Sequence, residues 1–185
     1  SELSFEFAEE FGRAEGAAFV NGDGALKPFG FMQDPTIPVV PTGDAAKITS
    51  DSILDIYHAL PTAYRANAVW AMNSNTLASV RKIKDAAGGY LLVDAGFNTT
   101  SPTATLMGRP VVEMPDMPDP AANTTPIVFG DFGQGYRIFD RVALSVLRDP
   151  YSQATNGMTR FHGRRRVAGG VAKSEALRKL KIAAS

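Results

Sequence analysis

Cysteine is absent from the 185 residues of the chain. Without a thiol, the chain forms no disulfide, binds no metal through thiolate and has no cysteine nucleophile. Histidine is scarce as well, because His58 and His162 are the only two, and their spacing matches no zinc-binding pattern. We therefore expect neither a metal site nor a bound cofactor.

An excess of one charge and long apolar runs are also missing. Nineteen basic residues balance nineteen acidic residues, so the overall charge indicates neither a nucleic-acid nor a membrane partner. No apolar run approaches the roughly 20 residues of a membrane span, and no signal peptide is visible. The apolar content of 44% and the charged content of 21% are typical of a folded chain with one domain or two small ones.

A glycine-rich stretch, EGAAFVNGDGALKPFGF, occupies residues 15–31. It is no phosphate loop, because Lys27 is followed by Pro28 rather than by serine or threonine. It is no calcium loop, because Leu26 and Met32 stand where such a loop needs glycine and glutamate. A dinucleotide-binding loop follows a strand, whereas this stretch follows a helical pattern. We interpret it as a helix stop followed by turns.

The periodicity of apolar residues along the chain predicts a mixed order of helices and strands, and therefore an α+β fold. Predicted helices cover 3–20, the segment from Ser50 or Asp51 to Pro61, the segment from Asn73 or Ser74 to Gly88-Gly89, and 173–183 with Ser174 as its cap. Predicted strands cover 67–72, 109–114, 126–132, 137–149 and 158–168. The proline-rich segment at 35–41 is predicted to be extended, with edge or linker character.

The last long strand is rich in arginine. Alternation along the strand places its basic side chains on one face and apolar side chains on the other. The basic set is Arg160, His162, Arg164 and Arg166. Such a face predicts an anionic partner, either nucleic acid or the acidic face of a neighbouring subunit, and a solvated face is the alternative. The acidic first helix makes a subunit partner plausible, because complementary charges fix the register of an assembly.

Asp131-Phe132-Gly133 is a tripeptide known from protein kinases. A kinase also needs a glycine-rich loop, a strand lysine and a catalytic-loop Asp/Asn pair, and the sequence has none of these. Turn chemistry between two strands explains the tripeptide better. We therefore expect no enzyme, and a small nucleotide-binding enzyme remains only a remote alternative.

Several segments, taken in order, resemble the major capsid proteins of tailed phages of the Hong Kong 97 type. In that family a long "spine" helix ends in a Glu–aromatic–Asn-Gly-x-Gly segment followed by Pro-x-Gly. The matching residues here are Glu15, Phe19, Gly22, Gly24, Pro28 and Gly30. Residues 59–92, LMGRPVVEMPDMP at 106–118, PIVFGDFGQGYRIFDR at 126–141 and residues 161–185 match later family segments in the same order. Capsids of gene transfer agents (GTAs) are equally compatible.

The resemblance implies a Hong Kong 97-like capsid fold with peripheral and axial domains. The peripheral domain would comprise 1–35, with the spine helix and its exit loop, and the long strands at 137–172. The axial domain would comprise 36–136, to which 173–185 would return. The family also has an N-terminal arm and an extended loop before the spine helix. Because the chain starts at Ser1 inside a helical pattern, we expect that these parts precede it in the full protein.

The function implied by the resemblance is that of a major capsid protein in a virion. Subunits would assemble in the bacterial cytoplasm into pentamers and hexamers of an icosahedral shell around double-stranded DNA. Possible further partners are a scaffold, a portal and a prohead protease, and no membrane is expected. An encapsulin-type shell, which encloses cargo enzymes, is the alternative with the same fold.

Two sets of residues are predicted to act at subunit interfaces and one set at the helix exit. The acidic helix face would carry Glu6, Glu9 and Glu10. The basic strand would carry Arg160, Arg164, Arg165 and Arg166. Gly22, Gly24 and Pro28 would form the hinge that sets the exit angle of the spine helix. Some relatives cross-link their shells through a lysine and an asparagine, with the help of a glutamate. Asn156 lies near the asparagine position, but the glutamate position falls near Gly163. We therefore predict no such cross-link.

Overall fold

The computed structural model describes residues 2–45, 47–84, 105–152, 154–156 and 159–184. Its helices are α1 Glu2–Asn21, α2 Ser50–Ala59, α3 Thr62–Arg65, α4 Ser74–Arg81 and α5 Phe132–Gly135. Its strands are β1 Val39–Ala45, β2 Val69–Met72, β3 Thr105–Leu106, β4 Arg109–Glu113, β5 Ile127–Gly130, β6 Tyr136–Asp149, β7 Arg160–Val171 and β8 Leu177–Ala183. The prediction that the third helix continues to Gly88-Gly89 is wrong, because α4 ends at Arg81 and residues 82–84 are not helical. The two glycines themselves lie outside the described residues.

The chain divides into two compact units. Unit 1 combines residues 1–33 with 138–170, and unit 2 combines residues 34–137 with 171–185. The sequence places the corresponding boundaries after residues 35, 136 and 172. The peripheral and axial roles of the two units remain a prediction.

Unit 1 consists of the long helix α1 and a ribbon formed by β6 and β7. The predicted first helix and both long strands are confirmed. Within the described residues β6 and β7 pair only with each other. A two-stranded ribbon is marginally stable in water by itself, so its packing against α1 contributes to its order.

Unit 2 is built around a mixed sheet with the strand order β1-β8-β5-β2-β4-β3. β1 runs parallel to β8 and β2 runs parallel to β4, whereas the pairs β8–β5, β5–β2 and β4–β3 are antiparallel. β1 lies at one edge of the sheet, in agreement with the edge or linker character predicted for the proline-rich segment at 35–41. The mixture of parallel and antiparallel pairs agrees with the predicted α+β class.

The core of unit 2 centres on the aromatic residues of β2 and β5. Trp70 and Phe129 face each other across these strands, with ring centroids 4.1 Å apart. The indole Nε1 of Trp70 donates to the carbonyl of Leu106 at 2.9 Å, so the buried ring keeps a hydrogen-bond partner. Tyr57 of α2 stacks on Phe129 from the helix side at 5.5 Å.

The predicted helix at 173–183 is wrong. Ser174–Ala176 forms a single 3₁₀ turn, and the chain then continues as β8 between β1 and β5. The backbone N–H of Lys179 donates to the carbonyl of Pro38, and both edges of β8 pair with neighbours. Leu177 and Leu180 are buried as predicted. The helix prediction failed because an inner strand buries residues on both faces, so its apolar residues can have the spacing of a helix.

Helix caps explain two further boundaries. α2 is capped by Thr49, which forms a reciprocal capping box with Ser52, so the prediction of Ser50 or Asp51 as the cap is wrong by one or two positions. α4 is capped by Asn73, one of the two caps predicted, because its side chain accepts from the N–H of Thr76 at 2.7 Å.

Lys179 is the one lysine among the buried residues of unit 2 that the structure describes. Its Nζ donates to the carbonyl of Asp34 at 2.7 Å. Burial lowers the pKa of this ammonium group, and the nearby Asp34 carboxylate partly opposes the shift.

Candidate functional site

The two faces of β7 differ in exposure, as strand alternation predicts. Arg160, His162, Arg164 and Arg166 are exposed, whereas the residues between them are partly buried. Among the described residues, no carboxylate lies within ion-pair distance of these three arginines. The predicted basic face is therefore present and unpaired in the described chain.

The opposite face of β7 packs against α1. A Cβ atom at Gly163 would lie 3.0 Å from Phe7 and 3.1 Å from Phe11, so the two rings close over this position. The same rings stack on each other, with centroids 6.5 Å apart. Glycine at this position allows helix and ribbon to approach closely.

Arg165 points toward α1 rather than toward solvent. Its guanidinium binds the Glu15 carboxylate at 3.1 Å and the Asp140 carboxylate of β6 at 3.0 Å. The Glu15 side chain is only 14% exposed. Arg165 thus lies on the other side of the strand from Arg160, Arg164 and Arg166, so the prediction that it belongs to the same basic surface is wrong. Strand alternation could have shown this, because Arg165 stands between Arg164 and Arg166 in sequence and neighbouring residues of a strand point to opposite sides.

The contact between Asp140 and Arg165 also assigns the faces of β6. Because Asp140 lies on the α1 side of the ribbon, its neighbours Phe139 and Arg141 lie on the side of the exposed arginines. Asp149 shares that side, since the charge of His162 helps to lower the pKa of its carboxyl, after the hydrogen bonds from Ser152 and Tyr151.

We call this side of the ribbon the outer ribbon face. Its members are Phe139, Arg141, Leu147 and Asp149 of β6 and Arg160, His162, Arg164 and Arg166 of β7. Phe139 and Leu147 are each 64% exposed. The outer ribbon face therefore combines several arginines with two accessible apolar side chains.

The exposed side of α1 is acidic. Glu6, Glu9 and Glu10 are all exposed, and Glu10 pairs with Arg13 at 2.9 Å. On a helix, Glu9 lies opposite Phe7 and Phe11, which face the ribbon, whereas Glu6 and Glu10 lie on one flank. Unit 1 consequently exposes an acidic surface on α1 and a basic surface on β7.

The glycine-rich stretch folds back onto the end of α1. The N–H groups of Phe31 and Met32 donate to the carbonyls of Phe19 and Val20, and the N–H of Gly30 donates to the carbonyl of Gly22. The first two bonds satisfy carbonyls of the last helical turn, which otherwise lack partners. The N–H groups at the end of the stretch are therefore used inside the chain.

The predicted hinge residues lie where the glycine-rich stretch packs most closely against the end of α1. A Cβ atom at Gly22 would lie 2.0 Å from the carbonyl oxygen of Pro28, and Pro28 itself is buried. Gly24 has a φ of +81°, a conformation that favours glycine. These contacts describe a close-packed joint, and its role in setting the direction of the chain remains a prediction.

The other residues considered from the sequence form no site within the described chain. His58 lies in the last turn of α2, and Asp131 caps α5 by accepting from the N–H of Gln134. Among the described residues, no group of histidines and carboxylates could hold a metal ion. None of the helices in the described part of the chain is long and apolar enough to cross a membrane.

Comparison with known families assigns the chain. Residues 1–182 match the phage capsid family, which is nearly the full length of the sequence. The chain belongs to the phage capsid family. A search of curated protein sequences found no match.

Solved capsid structures of this family resemble the chain in sequence and in fold. The capsid of an empty GTA particle, determined with C5 symmetry, shares 43% identity over 98% of this chain and 65% of its own, with a TM-score of 0.88. The capsid of a native GTA particle gives 42% identity, the same coverage and a TM-score of 0.89. The chain therefore spans about two thirds of the length of these capsid proteins, or 65%.

More distant structures support the fold alone. Gordonia phage Cozz shares 14% identity over 99% of this chain and 63% of its own, with a TM-score of 0.66. An encapsulin complex from Synechococcus elongatus PCC 7942 shares 16% identity over 97% of this chain and 63% of its own, with a TM-score of 0.59. The Hong Kong 97-like fold predicted from the resemblance is confirmed, and the encapsulin is only a distant neighbour.

Proposed function

We propose that this chain is the shell-forming part of a major capsid protein of a tailed phage, prophage or gene transfer agent. The observation that carries the proposal is the 43% identity, over 98% of the chain, to the capsid of a GTA particle. Copies would assemble into pentamers and hexamers of an icosahedral shell, because closed symmetric shells repeat the same subunit contacts with small variations. The role is structural rather than enzymatic.

The proposed shell encloses double-stranded DNA without reading its sequence. It is part of a virion capsid and is assembled in the bacterial cytoplasm, with a scaffold, a portal and a prohead protease as possible further partners. The acidic surface of α1 and the basic surface of β7 are the proposed contact surfaces: Glu6, Glu9 and Glu10 on the first, and Arg160, Arg164 and Arg166 on the second. Arg165 instead supports these surfaces from within, since it binds Glu15 and Asp140 of its own chain.

Electron microscopy of the full-length protein, produced in bacteria, tests the proposal. We expect polyhedral particles or isolated pentamers and hexamers. A protein that stays monomeric at high concentration, with or without scaffold, would contradict it.

The content of particles purified from the native host separates a capsid from an encapsulin. After external nuclease treatment, a capsid should retain protected double-stranded DNA, whereas an encapsulin should contain cargo protein and no DNA. Particles filled with a cargo enzyme would favour the encapsulin alternative.

A further inference from the structure

The end of α1 carries an asparagine that is followed directly by a glycine. Asn21 is the last residue of the helix and is exposed, whereas Gly22 is buried. In such a pair the backbone nitrogen of the glycine can attack the side-chain amide of the asparagine, because glycine has no side chain to hinder the approach. An asparagine–glycine pair is therefore prone to lose its amide group without an enzyme.

The fold holds this pair in an unreactive geometry. The N–H of Gly22 donates to the carbonyl of Ala18 at 2.8 Å, so the attacking nitrogen is held in the hydrogen-bond pattern of the helix. The carbonyl of Gly22 accepts from the N–H of Gly30 at 2.9 Å. A Cβ atom at Gly22 would lie 2.0 Å from the carbonyl oxygen of Pro28, so the space around this residue is filled. Ring closure requires the Asn21–Gly22 peptide to turn away from its helical orientation, and these contacts must break first.

We propose that Asn21 is a spontaneous modification site, which the folded chain keeps unreactive and which reacts when the glycine-rich stretch releases the end of α1. Release of this kind is a local opening that leaves the remaining structure folded. The reactivity is independent of shell assembly, because the contacts that control it lie within residues 18–30 of one chain.

The reaction needs water as its only co-reactant. The nitrogen of Gly22 forms a bond to Cγ of Asn21, the bond from Cγ to Nδ2 breaks, and ammonia leaves with the proton of the Gly22 N–H. Water then opens the cyclic imide at either of its carbonyl groups, which gives aspartate or isoaspartate. One water is consumed and one ammonia is released for each modified chain, and no atom is oxidised or reduced.

Either product would weaken the packing at the end of α1. Both products place a negative charge at the C-terminal end of the helix, where the helix dipole disfavours anions. Isoaspartate also adds a carbon atom to the backbone before Gly22, which shifts the N–H of Gly22 away from the carbonyl of Ala18. Modification of Asn21 therefore records an opening of this region irreversibly.

Peptide mapping by mass spectrometry tests the proposal on the full-length protein in warm, mildly alkaline buffer. Loss of the amide raises the mass of the peptide that contains Asn21, and an isoaspartate methyltransferase labels one of the products. Two hydrogen bonds must break before the reaction, and each contributes about a fivefold factor to the opening equilibrium. Asn21 should therefore react about 25-fold more slowly in the folded protein than in urea. In urea Asn156-Gly157, the other pair of this type in the sequence, should react as fast as Asn21 and serves as the internal reference.

Three variants separate the effect of the fold from the chemistry. Gly30→Ala places a Cβ atom 2.4 Å from the carbonyl oxygen of Val20 and 2.6 Å from the nitrogen of Gly22, so it should loosen the contact and speed the reaction about fivefold or more in native buffer. Gly12→Ala, whose Cβ atom meets nothing within 4 Å, should leave the rate unchanged. Asn21→Gln should abolish the mass increase, because a glutamine amide would have to close a larger ring, which forms more slowly.

Equal rates for Asn21 in the folded protein and in urea would overturn the proposal. An Asn21 that kept its amide in urea, while Asn156 lost its own, would overturn it as well. If Gly30→Ala unfolded α1 altogether, as circular dichroism would show, Asn21 should react in native buffer as fast as it does in urea. A Gly30→Ala variant that reacted as slowly as the wild type would contradict the role of the glycine-rich stretch.

Discussion

Replacing Gly22 by alanine should weaken unit 1 because the new methyl group has no space. Its Cβ atom would lie 2.0 Å from the Pro28 carbonyl oxygen and 2.4 Å from that of Ala18. Carbon–oxygen contacts are ordinarily about 3.3 Å or longer, so the backbone must move by roughly 1 Å. Overpacking of this kind costs about 1–3 kcal/mol. Loss of the bond from the Gly30 N–H to the Gly22 carbonyl, 2.9 Å long, adds about 1 kcal/mol.

Gly12, inside α1, offers a matched control. A Cβ atom there meets nothing within 4 Å, and alanine is a better helix former than glycine. We expect Gly12→Ala to raise the free energy of unfolding by about 0.5–1 kcal/mol, whereas Gly22→Ala lowers it by about 2–4 kcal/mol. Urea unfolding followed by far-ultraviolet circular dichroism measures both. If Gly22→Ala proved as stable as the wild type, the packing of the glycine-rich stretch against α1 would be wrong.

Three further predictions concern an ion pair, a buried lysine and a glycine. Glu15→Ala and Arg165→Ala should show a coupling free energy of about 1–2 kcal/mol in a double-mutant cycle of urea unfolding, because their ion pair is partly buried; additive effects would argue against the pair. The pKa of Lys179 is lowered in the folded state, so the unfolded state binds more protons between this lowered pKa and pH 10.5. The free energy of unfolding of the wild type, relative to Lys179→Met, should therefore increase as the pH rises toward 10.5, and a constant difference would refute this. Because Gly163 has no carboxylate to assist a cross-link, assembled particles should give single subunits on a denaturing gel, and a covalent ladder would refute this.

Local patterns in the sequence were sufficient for most elements of the fold. The amphipathic spacing of α1, ended by Asn21-Gly22, predicts a helix because its signals lie within a few turns of one another. The alternation of β7 likewise predicts which arginines share a face, because side chains of a strand point to opposite sides in turn. The family resemblance added the fold, which no single motif establishes.

Long-range contacts decided what these patterns could not. Residues 177–183 have spacing compatible with a helix, and only the position of β8 between two partner strands makes them extended. The glycine-rich stretch folds back onto α1 because its N–H groups donate to carbonyls of the helix end. Local sequence patterns do not show which donor binds which carbonyl.

The sequence by itself determined where helix and strand patterns begin, which residues are acidic or basic, and that thiolate chemistry is excluded. Only the tertiary structure decided which charges are neutralised within the chain. Arg165 pairs with Glu15, 150 positions earlier in the chain and close to it in space, whereas Arg164 and Arg166 remain exposed. The physical reason is that charge pairing depends on distances between side chains, and folding sets those distances between residues that are far apart in sequence.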